Sequence, residues 1–292
     1  MHLFVQACIL GILTGGVYAL MASGLALGFG VMRVINVAQG ALIILGAYLS
    51  YRLYNGLGID PFVGLLIVTP AMFALGVALQ LVFLRPLRDE EREELSLLVT
   101  WAIALGIEGL LSVEYQTTYR STITSYADRS WIVAGYHISV ARAFAFLACM
   151  VVLAVLFGIL RFTKLGRSIR ATVQNPTSAR LLGVDTRMVS AVGFGLSVAT
   201  ASAAGAVYGL VFPFNPGSHY DLISRLLSII VLGGLGSLGG AVVAALFMGV
   251  AESVFATEIS PIWSSFTFFM VLIAVLVLRP QGLFGARVRG AI

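Results

Sequence analysis

Residues 163–189, TKLGRSIRATVQNPTSARLLGVDTRMV, form a polar and basic segment between two long apolar stretches. We call this segment the island. It contains one acidic residue, Asp185, and five basic residues: Lys164, Arg167, Arg170, Arg180 and Arg187. Both flanking stretches are long enough to cross a bilayer. The island therefore predicts a membrane protein that keeps one long, ordered loop on one side for contact with a partner.

Composition agrees with a membrane location. Of the 292 residues, 59% are hydrophobic and 11% are charged, whereas soluble domains contain about 25% charged residues. The apolar runs are continuous, unlike the alternating segments of about 10 residues that build a β-barrel. We expect an all-α, polytopic helical bundle that forms one transmembrane domain over residues 1–292. The net charge of +5 lies in loops and does not indicate nucleic acid.

Nine apolar segments predict about eight or nine transmembrane helices. The first lacks a basic leader and is expected to be a membrane helix rather than a signal peptide. The segments are 3–30, 41–54, 62–84, 95–113, 140–160, 189–212, 222–236, 241–257 and 262–278.

Arginine and lysine positions predict the orientation. Twelve basic residues fall in three segments separated by even numbers of crossings: Arg85, Arg88, Arg92; Arg161, Lys164, Arg167, Arg170, Arg180, Arg187; Arg279, Arg287 and Arg289. Five lie on or near the other side: Arg52, Arg120, Arg129, Arg142 and Arg225. Because cytoplasmic loops are enriched in these residues, the loop 161–188 and the C-terminus are expected to be cytoplasmic. Nine crossings would place the N-terminus outside.

Glycine-rich breaks interrupt the apolar pattern near both ends of the chain. They are Gly30–Gly40, GVMRVINVAQG, and Gly233–Gly240, GGLGSLGG. Paired interruptions are typical of broken helices around a transport pathway. A tight turn within a helical hairpin explains each of them equally well. Sequence alone leaves both interpretations open.

Motifs for enzymatic chemistry are missing from the sequence. Ser237 lies among glycines, but Leu235 occupies the place that a nucleophile elbow gives to glycine. The three histidines fit no zinc-hydrolase pattern, and no Walker A motif is present. We expect no catalytic residue, metal or cofactor in this chain. Any ATP would be hydrolysed by partner subunits.

Glu108 and Glu252 fall inside apolar segments, where a charge is costly and often functional. The alternative is structural: Glu252 pairs near a helix end, with Arg225 as the candidate, and Glu108 faces another helix. An ion relay would need partners, and the sequence shows no chain of acids and histidines.

A short helix is predicted within the island. Asn175 is a preferred N-cap, Pro176 suits the first helical position, and Gly183 suits the C′ position. Ala179, Leu181 and Leu182 would give this helix an apolar side. It either packs on its own bundle or docks in a groove of a cytoplasmic motor.

Four motifs in order resemble one family. KLGRSIRATVQNPTSARLLGVD (164–185), GVMRVINVAQG (30–40), GGLGSLGG (233–240) and LRPQGLFG (278–285) are similar to the LivH-type permeases of branched-chain amino acid ABC importers. The resemblance implies a second, LivM-like permease, two cytoplasmic ATPases and a periplasmic solute-binding protein. It also implies a bacterial or archaeal cytoplasmic membrane.

The resemblance assigns roles to individual residues. Coupling to the ATPases falls on Arg167, Arg170, Asn175, Pro176, Ala179, Arg180, Leu182 and Gly183. The substrate pathway falls on Asn36, Gln39, Gly40, Gly234, Gly236, Ser237 and Gly239.

Departures from the family pattern leave the substrate open. Val37 and Gln39 stand where the family commonly has Phe and His, Ala41 where an acid is common, and Gly239 where Pro is frequent. The expected cargo is a branched-chain or other amino acid. Urea, amides and aromatic or other carboxylates are alternatives, since relatives carry them. A motor-independent channel or ion-coupled carrier is the rival class.

Overall fold

Helices dominate the structure, a computed structural model that describes residues 2–32, 34–87, 92–124, 126–127, 129–133, 135–260 and 263–279. Eleven α-helices occur in these ranges: α1 His2–Met32, α2 Gln39–Leu57, α3 Pro61–Leu79, α4 Arg92–Tyr115, α5 Val140–Phe162, α6 Lys164–Gln174, α7 Pro176–Leu181, α8 Thr186–Val211, α9 His219–Gly233, α10 Leu238–Glu258 and α11 Ser264–Leu278. A π-helical turn, Gln80–Leu84, extends α3. Strands β1 Ser130–Val133 and β2 Tyr136–Ser139 form an antiparallel hairpin.

Six helical segments of the described chain are long and apolar enough to cross a membrane: His2–Met32, Pro61–Leu84, Glu94–Tyr115, Val140–Phe162, Thr186–Val211 and Leu238–Glu258. Phe266–Leu278 is a shorter apolar helix. The all-α membrane bundle is thus confirmed. Each of the nine predicted apolar segments contains a helix, and a count of eight or nine crossings stays a prediction.

Small residues let the central helices approach closely. A Cβ added to Gly249 in α10 would lie 2.6 Å from the Cα of Gly15 in α1, so the two backbones touch there. Such contacts replace the hydrophobic driving force that lipid does not provide. Helix α8 lies at the centre, because 83% of the residues in its most apolar part are buried, whereas the corresponding share in α4 is 22%. Helix α4 therefore lies at the periphery.

The bundle has two distinct ends. At the hairpin end, His2 stacks on Tyr136 with ring centroids 4.4 Å apart, and Gln6 bonds to the backbone of His137. At the island end, Val31 near the end of α1 packs in one cluster with Ile169 of the island. Helices α1 and α5 therefore both run from the hairpin end to the island end.

The first glycine-rich break returns into the bundle. Helix α2 begins at Gln39, whose amide lies beside Gly24 of α1 and Ser197 of α8. Residues 34–38 are not helical, and their backbone is held by local and long-range bonds. Val37 N donates to Thr100 Oγ1 (3.3 Å) and Ala38 N to Asn36 Oδ1 (3.1 Å). Irregular backbone at membrane depth is tolerated where protein surrounds it in this way.

The second glycine-rich break is a tight turn at the island end. Gly234 and Gly236 have φ of 90° and 80°, and Gly233 packs against Gly240. Residues 233–240 therefore fit the tight turn, one of the two interpretations that the sequence left open. The interior counterpart of the first break is residues 212–218, before α9. The carbonyl of His219, at the start of α9, would lie 2.5 Å from a Cβ added to Gly40. The N-termini of α2 and α9 thus meet inside the bundle.

Arg88, Arg287, Arg289 and residues 280–285 of the terminal motif lie outside the described residues.

Candidate functional site

The island leaves α5 through a sharp corner. The side chain of Thr163 caps α6 by accepting a hydrogen bond from Gly166 N (3.0 Å). A Cβ on Gly166 would collide with the carbonyls of Leu160 and Ile159. Helix α6 then lies against the bundle through Ile169, which is 2% exposed. The corner and this apolar anchor fix the direction in which the island continues.

Helix α7 is capped at both ends, as predicted. Asn175 Oδ1 accepts a hydrogen bond from Ser178 N (3.0 Å), and Pro176 is the first helical residue. Gly183 has φ of 80°, which ends the helix and lets Val184 N donate to Ala179 O (3.0 Å). Local sequence signals therefore define a stiff, short element.

One side of α7 packs on the bundle and the other is open. Ala179 is 2% exposed, whereas Leu181 and Leu182 are 84% and 83% exposed. Of the apolar side predicted for this helix, Ala179 packs on the bundle of this chain and the two leucines do not. Met188, near the start of α8 at the same end of the bundle, is also exposed. We call Leu181, Leu182 and Met188 the α7 tip.

The island arginines differ in what they contact. Arg170 donates to the carbonyls of Leu160 and Arg161, so it caps the last turn of α5. Arg180 Nε donates to Thr186 Oγ1 (2.9 Å), which ties α7 to α8. Arg167 is exposed. The predicted coupling role of Arg170 is thus accompanied by a structural one.

Asn36 and Gln39 are fully buried. Asn36 Nδ2 donates to Gln39 Oε1 (3.2 Å), and Ser197 Oγ lies 3.3 Å from the same oxygen. Gln39 Nε2 in turn points to Ser197 O at 3.4 Å. In this conformation the two amides hold α1, α2 and α8 together and do not line an open channel.

The later pathway candidates lie elsewhere. Gly234, Gly236 and Ser237 belong to the turn at the island end, and Gly239 lies in the first turn of α10, which Ser237 Oγ caps by accepting from Gly240 N (3.1 Å). Among the described residues, the two glycine motifs approach each other at Gly30 and Gly236, where a Cβ on Gly30 would be 3.7 Å from Gly236 O, and Gly30 is not one of the predicted pathway residues. The structure therefore does not bring the two predicted groups together.

Glu252 belongs to a partly buried ion pair. Arg225 Nη1 bonds to its Oε1, and Tyr18 Oη donates to its Oε2 (2.9 Å). Both charged side chains are 13% exposed. Asp221 also pairs with Arg225 (2.8 Å). The structural alternative, pairing of Glu252 with Arg225, is confirmed.

Glu108 has partners that the sequence did not reveal. His219 Nε2 lies 3.0 Å from its Oε2, and Tyr220 Oη donates to the same oxygen (2.9 Å). The structural alternative, that Glu108 faces another helix, is confirmed, and its partners on α9 include a histidine. Glu108 is 24% exposed, and Trp101 packs beside Tyr220 with centroids 5.9 Å apart. The two partners stand three and four residues after Pro216, and no motif links them to Glu108.

These features define a class of protein: a multi-pass membrane bundle with an ordered, exposed helical segment at one end. Residues 8–276 match the family described as "Branched-chain amino acid transport system / permease component". The chain belongs to this family and is a LivH-type permease component of an ABC transport system.

Relatives match over almost the whole chain. The chain is 28% identical to the high-affinity branched-chain amino acid transport system permease protein LivH of Salmonella typhimurium, covering 97% of this chain and 96% of that protein. It is also 28% identical to BraD of Pseudomonas aeruginosa, described in the same words, with the same coverage.

The solved structure of PsaBC from Streptococcus pneumoniae in complex with Fab has a TM-score of 0.50 and 11% identity, over 96% of this chain and 93% of that one. That likeness concerns the fold alone.

Proposed function

We propose that this chain is one membrane subunit of an ATP-driven importer that works by alternating access. Two ATPases bind at the island end, which faces the cytoplasm, and a solute-binding protein delivers cargo at the hairpin end. A second, LivM-like permease completes the pathway. The chain itself needs no cofactor, because the partner subunits hydrolyse the ATP.

The observation that carries this proposal is α7. A six-residue helix with both ends capped, tied to α8 through Arg180, and carrying two exposed leucines is suited to transmit force. Exposed apolar side chains that are bordered by charged residues are typical of a surface that binds another protein. A floppy loop could not pass movement from a motor to the bundle. Helix α7 is therefore proposed as the coupling helix.

The α7 tip is testable by substitution. Leu181→Asp with Leu182→Asp should abolish co-purification of the cognate ATPases while the permease still inserts and folds, because both side chains are outside the core. Ile132→Asp, at a 68% exposed position of the hairpin, is the matched control and should retain the ATPases. Retention by the double variant, or loss with the control, would contradict the docking role. An ATPase that never co-purifies would favour the channel or carrier class.

We propose that the solute pathway follows the side of α4 and α9 that this chain leaves exposed. Tyr220 is 40% exposed and lies beside Glu108 and Trp101, and the side chain of Asp221, the next residue, is 55% exposed. Glu108 is seven residues from the end of α4 at Tyr115, which corresponds to about 10 Å along the helix. Polar groups at such depth are unfavourable against lipid. A second permease, with water between the subunits, would cover this face.

The family names of the relatives support an amino acid as cargo, and branched-chain amino acids are the first candidates. The departures at Val37 and Gln39 leave urea, amides and aromatic or other carboxylates as alternatives. Ligand identification by mass spectrometry on the cognate solute-binding protein would decide. A bound branched-chain amino acid supports the first candidate, and a different solute replaces it.

A further inference from the structure

A cleft of about 680 Å³ opens at the island end between the end of α1, the end of α3, and the starts of α7 and α8. It is separate from the α7 tip and from the Glu108 face. Three arginines line it: Arg85 after α3, Arg180 of α7 and Arg187 of α8.

The cleft carries concentrated positive charge. Among its described lining residues there are three guanidinium groups and no carboxylate. Arg180 is oriented by its Nε bond to Thr186 Oγ1, which leaves the rest of the planar group for a ligand. Asp185 is nearby in sequence, but its Oδ1 already accepts from Arg187 N and Met188 N as the cap of α8. The cleft is therefore suited to an anion such as a phosphodiester.

Gln80 adds a second, independent feature. It begins the π-helical turn that extends α3, lines the cleft and is 2% exposed. Within the described chain, no donor reaches its Oε1. A buried acceptor without a donor is costly, and π-helical turns often mark functional sites. A hydroxyl of the ligand would satisfy this oxygen.

The location points to a lipid as the source of the anion. The apolar segment Pro61–Leu84 ends immediately before Arg85, which puts the cleft at headgroup level. Leu81 lines the cleft and is 41% exposed, and the neighbouring Val82 and Phe83 are 62% and 48% exposed. Acyl chains can therefore lie along the outside of α3 while the headgroup enters the cleft.

We propose that this cleft binds the headgroup of an anionic phospholipid with free hydroxyls, of the phosphatidylglycerol type. The phosphate contacts Arg85, Arg180 and Arg187, and a glycerol hydroxyl donates to Gln80 Oε1. Because Pro176 and Arg180 of α7 belong to the cleft, the bound lipid holds α7 against α3 and α8. The inference does not depend on the cargo or on the motor.

Native mass spectrometry of the purified full chain in detergent tests the proposal. The chain is titrated with phosphatidylglycerol, phosphatidic acid, phosphatidylcholine and inorganic phosphate. We expect one phosphatidylglycerol to be retained in preference to phosphatidylcholine. Arg85→Gln with Arg187→Gln should weaken its binding by about 10- to 30-fold, since each arginine near a membrane surface contributes about a fivefold factor. Gln80→Leu should remove the preference for phosphatidylglycerol over phosphatidic acid, which lacks the glycerol hydroxyls.

The control for the cleft is a pair of arginines at the opposite end of the bundle. Arg52→Gln with Arg129→Gln removes the same charge at the hairpin end and should leave lipid retention unchanged. Equal retention of phosphatidylcholine, or unchanged binding by the Arg85/Arg187 variant with native helix content, would overturn the proposal. Displacement of the lipid by millimolar phosphate would identify a free-anion site instead. Loss of the lipid on assembly with the ATPases would assign the cleft to an acidic side chain of the partner.

Discussion

Helix α7 and the start of α2 are both polar interruptions of an apolar chain, but they are held in opposite ways. Helix α7 is defined by residues within one short segment: Asn175, Pro176 and Gly183. The start of α2 is defined by contacts with other helices, since Gln39 bonds to Ser197 of α8 and lies beside Gly24 of α1, and Asn36 bonds to Gln39. The first is therefore a surface element available to a partner. The second belongs to the interior and should determine stability.

The largest effect on stability is expected for the partly buried ion pair between Arg225 of α9 and Glu252 of α10. Glu252→Gln leaves Arg225 without its principal counter-charge, and breaking a buried pair costs about 3–5 kcal/mol. Asp221 still contacts Arg225, so the lower part of this range is expected. Thermal unfolding in detergent measures the loss. Glu258→Gln, at an exposed end of α10, is the control. An unchanged unfolding temperature for Glu252→Gln would show that the pair does not stabilise the bundle.

The close approach of α2 and α9 gives the next largest effect. Gly40→Val places a Cβ against the carbonyl of His219, and overpacking of this kind costs about 1–3 kcal/mol. Gly239→Val is a matched control because a Cβ there meets nothing within 4 Å. We expect a lower unfolding temperature for the first variant only. Equal unfolding temperatures of the two variants would contradict the close contact between the starts of α2 and α9.

A smaller and local effect is expected at α7. Asn175→Ala removes the N-cap, which costs about 0.5–2 kcal/mol. Hydrogen exchange should rise in residues 177–183 and stay unchanged in α2. Asn175→Asp keeps the acceptor and should preserve protection. Faster exchange throughout the bundle would mean that α7 is not an independent surface element.

These two regions also show how far the sequence could predict the structure. The bounds of α7 followed from capping residues close together in the chain. The second interior break, 212–218, was missed because it depends on His219 lying against Gly40. The glycines of 233–240 were a stronger local signal but form only a turn. The contact of Glu108 with His219 joins residues 111 apart, and no periodicity or motif reports such a distance.

The smallest effect on stability is expected at Glu108. Glu108→Gln keeps an acceptor for Tyr220 and His219, so the unfolding temperature should change little. Uptake should nevertheless show a several-fold higher KM for a cargo with an ammonium group, because the negative charge on the open face is lost. Glu114→Gln, an exposed acid paired with Arg52 near the end of α4, is the control. Unchanged uptake kinetics would remove this face from the proposed pathway.

The central claim is that energy enters the bundle through α7. It is tested most directly by measuring ATP hydrolysis and solute uptake together in proteoliposomes that contain the complete importer with Arg180→Glu. The substitution breaks the tie between α7 and Thr186 and reverses the charge at the docking helix. The account predicts that the permease inserts normally and that hydrolysis continues while uptake falls to background. Normal uptake coupled to hydrolysis would contradict it.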